Sequence, residues 1–121
     1  MTALIANGWM LACARIWPIG PVRPLAINAV IYAEISLSFS TLEALDGVVA
    51  TLTLELREIP RSALFLAAKA YAQYRRRGGN RLQVLPDFFI GAHATVEGWP
   101  LLTRDASRFR TYFPTLEVLA P

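Results

Sequence analysis

Apolar positions in this chain come in short runs, broken repeatedly by proline, glycine and polar residues. Thr2–Ile5 predicts a short buried strand, with a helical turn or two following through Ala14. Pro18, Gly20, Pro21 and Pro24 then disfavour helix and mark a connection. Leu25–Ile27 predicts a second short strand, and Asn28 is placed to cap the helix after it. In that helix Ile31, Glu34, Ile35 and Ser38 share a face at three- and four-residue spacing. Thr41 opens another helix with Leu42, Leu45, Val49 and Leu52 as its apolar stripe, leaving Glu43 and Asp46 on a solvated face. Thr53–Ile59 alternates weakly, as a loop or an edge strand does. Pro60 starts the longest helix, striped by Leu64, Ala67, Tyr71 and Tyr74 and stopped by Gly78-Gly79.

The stretch from Val84 to Asp105, VLPDFFIGAHATVEGWPLLTRD, is the one around which the rest is organised. Pro86 and Asp87 suit the first turn of a helix, where a carboxylate meets the positive end of the dipole. Gly98 ends the helix, and Trp99–Leu102 supplies a short apolar strand before the polar turn Thr103-Arg104-Asp105. Ala106–Arg110 reads as a helical turn capped by Asp105, and Leu116–Leu119 as a closing strand. One acid thus stands at the mouth of a helix and another just past the end of a buried strand. No repeat or linker divides the 121 residues, which predict one domain with a true core.

Composition sharpens this picture at a few points. Apolar residues make up 55% and charged residues 17%, rich enough in apolar surface to imply a covered interface, with a partner or a second copy. The lone Cys13 excludes an internal disulfide and favours a reducing compartment such as the cytoplasm. Met1–Ala14 carries a leader-like MLAC, but no Lys or Arg precedes Arg15, and the segment is too short to span a bilayer. Net charge is only +3, yet eleven of the twelve basic residues are Arg. Arg suits phosphate recognition by its planar fork, and a GC-rich genome gives the same bias. Arg75, Arg76, Arg77 and Arg81 form the one concentrated patch. It is either a solvated helix end favoured by the dipole or a grip on a phosphate backbone. His93 is the only histidine and lies on another helix face from Asp87, which reads as a core or edge residue. There is no Gly-rich phosphate loop, zinc ligand pair or Ser-centred elbow.

Three acids stand where a fold could gather them: Glu34, Asp87 and Asp105. Carboxylates about 5 Å apart repel by roughly 3 kcal/mol per pair at an effective dielectric near 20. A divalent cation removes that repulsion, and hard oxygen ligands suit Mg²⁺ or Mn²⁺. From spacing alone, Asp105 fits a plain helix cap as well as a ligand.

LPDFFIGAHA, followed by GWPLLTRDASRFRTYFPTLEVL, resembles the C-terminal half of PIN-domain ribonucleases, in particular the VapC-type toxins of bacterial toxin–antitoxin pairs. The resemblance runs from Leu25 to Pro121 within a single domain of residues 1–121 and is poor over residues 1–24. It implies a three-layer α/β fold, a central mostly parallel sheet flanked by helices. It implies a metal-dependent endoribonuclease with Glu34, Asp87 and Asp105 holding Mg²⁺ or Mn²⁺, Thr103 as the small hydroxyl residue beside the metal, and the Arg patch on the RNA substrate. Its partners would be a cognate antitoxin and a second copy of the chain, with no membrane attachment. The family also places an aspartate in a Leu-Ile-Asp-Ser/Thr-Asn pattern near the first strand. Here Leu4-Ile5-Ala6-Asn7 has alanine at that place. Two expectations follow: a folded domain with weak or undetectable nuclease activity, or a degenerate module that binds a partner protein or RNA without cutting it.

Overall fold

The computed structural model describes residues 2–6, 24–81, 84–104 and 106–119. The expectations for residues 7–23 and for Asp105 lie outside the described residues. The described chain runs β1 (Ala3–Ile5), β2 (Leu25–Ile27), α1 (Ala29–Ser36), α2 (Leu42–Thr51), β3 (Leu54–Leu56), α3 (Arg61–Arg76), α4 (Leu85–Glu97), β4 (Leu101–Leu102), α5 (Ser107–Tyr112) and β5 (Val118–Leu119).

The five strands form one sheet in the order β3-β2-β1-β4-β5, and every pairing is parallel. Ala3, Leu4 and Ile5 are completely buried, as are Ala26 and Ile27. Unbroken apolar strands of this kind belong in the middle of a parallel sheet covered by helices. Thr53–Ile59 resolves as the edge strand β3, where Glu55 and Leu56 face outward and Arg57 donates its backbone N–H to the Ile27 carbonyl at 2.9 Å. The described chain steps outward from β1 to β2 and β3, then returns to the other side of β1 for β4 and β5. That reversal puts a topological switch point between β1 and β4, where crevices open at the strands' carboxyl ends.

Local chemistry sets the helix limits. Asn28 Oδ1 accepts the Ile31 N–H at 2.9 Å, and Thr41 Oγ1 accepts the Ala44 N–H at 3.1 Å. Gly98 ends α4 at φ 71°, a left-handed conformation that costs glycine little. Pro60 precedes α3, and Arg75 and Arg76 fill its last turn. The flanking residue of α5 is Ala106, whose side chain makes no cap.

The stripes of two helices need correction. In α3 the buried face is Ala63, Ala67 and Ala70, while Leu64 is 41% exposed and Phe65 lies out beside it. Alanines let α3 approach α4 closely, and the larger Tyr71 and Tyr74 pack at its end. In α2 only Leu45 is fully buried, and Leu42 is 61% exposed. Ser38 falls beyond the end of α1 and is exposed.

Helix α4 is the spine of the molecule. It buries Phe88, Ile90, Gly91, Ala92, His93 and Ala94 and packs on α1, α3 and α5. Phe88 anchors an aromatic cluster, with ring centroids 5.4 Å from Tyr71, 5.6 Å from Tyr74 and 5.3 Å from Tyr112. Among the described residues no helix is long and apolar enough to cross a membrane.

Candidate functional site

Ala6 after β1, Asn28 after β2 and Thr103 after β4 leave the strands at the carboxyl edge of the sheet, as does Arg57 after β3. Ala6 and Thr103 flank the switch point. The Ala6 N–H donates to the Leu102 carbonyl at 2.9 Å, and the Thr103 N–H donates to the Leu119 carbonyl at 3.1 Å. Thr103 is buried, and Ala6 is 8% exposed. The position where the resembling family has its first aspartate is therefore a small, buried apolar residue at the carboxyl end of β1, next to Thr103.

Glu34 and Asp87 ride on α1 and α4, which pack directly on each other. Glu34 is half-buried, with its Oε1 withdrawn from water, consistent with its place on the Ile31/Ile35 face. Asp87 sits in the first turn of α4, where the dipole favours a carboxylate. Its Oδ2 accepts from Arg108 Nη1 at 2.7 Å, a partly buried ion pair to α5. Gly91, one helical turn on from Asp87, carries the docking of α5: a Cβ there would lie 2.5 Å from the Phe113 ring and 3.0 Å from Phe109. The same α4 face thus holds α5 by an aromatic contact and by an ion pair.

A second polar link crosses the core. Asn28 Nδ2 donates to His93 Nδ1 at 3.0 Å, with both residues fully buried. Asn28 therefore caps α1 with its oxygen and ties it to α4 with its nitrogen. As acceptor, Nδ1 leaves the ring proton on Nε2, which is buried with no hydrogen-bond partner among the described residues. The His93 ring lies 5.3 Å from the Trp99 ring, and the Arg57 guanidinium stacks 5.2 Å from Trp99 on a residue of the β3 edge. Burial pushes the His93 pKa below the ordinary imidazole range, with Glu97 acting upward and Arg57 downward.

Glu34, Asp87 and Thr103 offer oxygen donors, the type that suits a hard divalent cation. No cluster of three metal-ligating side chains occurs among the described residues, which do not include Asp105. The Arg patch is exposed at the end of α3, with Arg77 5.5 Å above the Tyr112 ring and the Arg81 N–H donating to Tyr74 Oη at 3.3 Å. Sequence reasoning identified Asn28 as a cap and His93 as a core or edge residue, but not their bond across 65 positions. It missed Arg108 entirely, because its partner Asp87 is 21 positions away and no local spacing joins them.

No protein-family sequence model matches the chain, and no curated protein sequence does. Solved structures do. The chain is similar to VapBC2 from Rickettsia felis, bound to a DNA fragment from their promoter, with TM-score 0.74 at 16% identity over 100% of this chain and 99% of that one. VapBC-1 from nontypeable Haemophilus influenzae gives TM-score 0.74 at 14% identity, covering 99% and 98%. VapBC-5 from Mycobacterium tuberculosis, a member of the VapBC family of toxin–antitoxin systems, gives 0.66 at 19% identity, covering 99% and 98%. At these identities the likeness is one of fold, and the all-parallel five-stranded sheet with its flanking helices is the PIN-like α/β fold of the VapC-type proteins.

Proposed function

We propose that this domain is the toxin of a toxin–antitoxin pair, built as a metal-dependent endoribonuclease. One observation carries the reading: the packed helices bearing Glu34 and Asp87 meet a sheet whose switch point is flanked by Thr103, in a PIN-like fold. Glu34, Asp87 and Asp105 would hold Mg²⁺ or Mn²⁺, with the Thr103 hydroxyl beside them. The ion, when bound, supplies a water of lowered pKa and positive charge for the phosphodiester. The chain's own contribution is placement. The α4 dipole favours the Asp87 carboxylate, and the α1–α4 packing fixes the helices that carry Glu34 and Asp87. Arg75, Arg76, Arg77 and Arg81 give an RNA backbone a row of exposed cations.

The partner surface lies at the junction of α1 and α2. A groove of about 250 Å³ opens between Ser36, Phe39, Thr41, Leu42 and Leu45, and Leu37 beside it is 90% exposed. Apolar side chains so open to water fit coverage by an antitoxin or by a second copy of the chain, in the cytoplasm.

One observation favours a second reading, a PIN-like module that binds a partner or RNA without cleaving it. Ala6 stands buried at the end of β1 beside Thr103, where the resembling family has a further carboxylate. The two readings separate in a single experiment. RNA cleavage and Mn²⁺ binding are measured on the parent, Glu34→Gln and Asp87→Asn. Carboxylate-dependent binding with cleavage, even slow, supports the nuclease. RNA retention with neither metal binding nor cleavage supports the module.

A further inference from the structure

Asp87 is held by a cation of the chain itself. Arg108 Nη1 lies 2.7 Å from its Oδ2, and the two side chains are only 24% and 29% exposed. The guanidinium does not arrive there on a loose arm. Helix α5 is clamped on α4 by Phe109 and Phe113, both buried, which fill the space left by the missing side chain of Gly91. Arg108 immediately precedes Phe109, and Asp87 lies one turn before Gly91 on the same face of α4. Aromatic docking and ion pair therefore come as one unit, and the positive charge is built into the place where a metal ligand would work.

We propose that Arg108 is a resident counter-cation which competes with divalent metal for Asp87, so that metal loading and release of the Arg108 guanidinium are a single exchange. This rests on the reading of Asp87 as a metal ligand. A divalent ion within ligand reach of the Asp87 carboxylate stands within about 5 Å of a guanidinium on the same group, and like charges at that range repel strongly in a partly buried setting. Each cation must then weaken the other by the same factor, as linkage requires. In the metal-free protein, Arg108 offsets the negative charge of Asp87. Once displaced, its planar fork is free for an anionic group, and the chemistry that suits it is a phosphodiester oxygen.

The test uses Mn²⁺ alone, titrated calorimetrically into the full chain and its Arg108→Gln, Arg108→Lys and Asp87→Asn variants. Arg108→Gln should bind Mn²⁺ about three- to tenfold more tightly than the parent, the range expected for removing a partly exposed ion pair. Arg108→Lys, which keeps the charge, should stay near the parent. Unchanged or weaker binding by Arg108→Gln would overturn the exchange and make Arg108 a support for Asp87. In that case, binding abolished in Asp87→Asn leaves the metal-site reading standing, whereas binding unchanged in Asp87→Asn removes both. A second measurement needs no variant. Labelling of the parent with an arginine-selective dicarbonyl, mapped by mass spectrometry, should rise at Arg108 when Mn²⁺ is added. Labelling that is unchanged or falls counts against the exchange.

Discussion

Asn28 and His93 meet through a 3.0 Å bond from Nδ2 to Nδ1, and neither residue is reached by water. One side chain thereby closes the N-terminus of α1 and fixes that helix to α4. Replacing Asn28 with Ala removes the cap and strands a buried imidazole nitrogen, for an expected loss of about 2–4 kcal/mol. Asn28→Ser keeps a capping oxygen but not the amide donor and should lose less. Urea unfolding of the three proteins checks the order; equal stability of parent and Asn28→Ala would show that the link contributes nothing.

Burial of the His93 ring makes stability depend on pH. Burial is the main cause holding the His93 pKa below its ordinary value, with Glu97 opposing and Arg57 assisting. A depressed folded-state pKa means that the unfolded chain binds the proton more readily. The stabilisation is therefore complete above about pH 6.5 and is lost as pH falls through the lower folded value. Melting temperatures from pH 8 to pH 5 should decline below pH 6.5, and His93→Gln should flatten that decline. A variant as pH-sensitive as the parent would point to other groups.

Ala6 offers a gain-of-function test. Ala6→Asp would place a carboxylate at the buried rim beside Thr103. Without metal it should destabilise the fold, by about 1–3 kcal/mol for an uncompensated polar group. With Mn²⁺ the loss should be recovered, metal affinity should rise about tenfold from the added ligand charge, and ribonuclease activity should increase. Thermal melts in chelator and in Mn²⁺, beside cleavage assays, measure all three. Robust cleavage by the parent, lost in Asp87→Asn, would refute the view that Ala6 leaves the site deficient.

Gly91 should tolerate no side chain. A methyl group there would meet the Phe113 ring at 2.5 Å and Phe109 at 3.0 Å. Gly91→Ala should cost about 1–3 kcal/mol by overpacking, although alanine favours helix. Loosening α5 should also loosen Arg108 from Asp87, so hydrogen exchange in residues 107–112 should accelerate. Unchanged exchange there would mean that α5 is held by other contacts.

The Arg patch is tested by salt. Changing Arg75, Arg76, Arg77 and Arg81 to Gln should weaken single-stranded RNA binding equally for all sequences. It should also reduce the slope of log K against log salt by roughly 0.7 for each cation that touches a phosphate. An unchanged slope would identify the patch as a solvated helix end.

What the sequence determined by itself was local. Asn28 and Thr41 as caps, Gly98 as a stop, Pro60 before the long helix and the strand at Leu25–Ile27 all rest on interactions within a few residues, and all stand in the fold. In the α3 stripe Ala67, Tyr71 and Tyr74 pack on the core but Leu64 does not, because several apolar faces compete on one helix, and the partner's shape decides which is covered. The face that is fully buried is Ala63, Ala67 and Ala70, on a helix that packs on α4. Only the tertiary structure could give Arg108 to Asp87, Asn28 to His93 and Ala6 to the rim beside Thr103. Each depends on which elements the parallel sheet brings together. Side-chain chemistry acts over a few ångströms of space, whereas sequence spacing measures only distance along the chain.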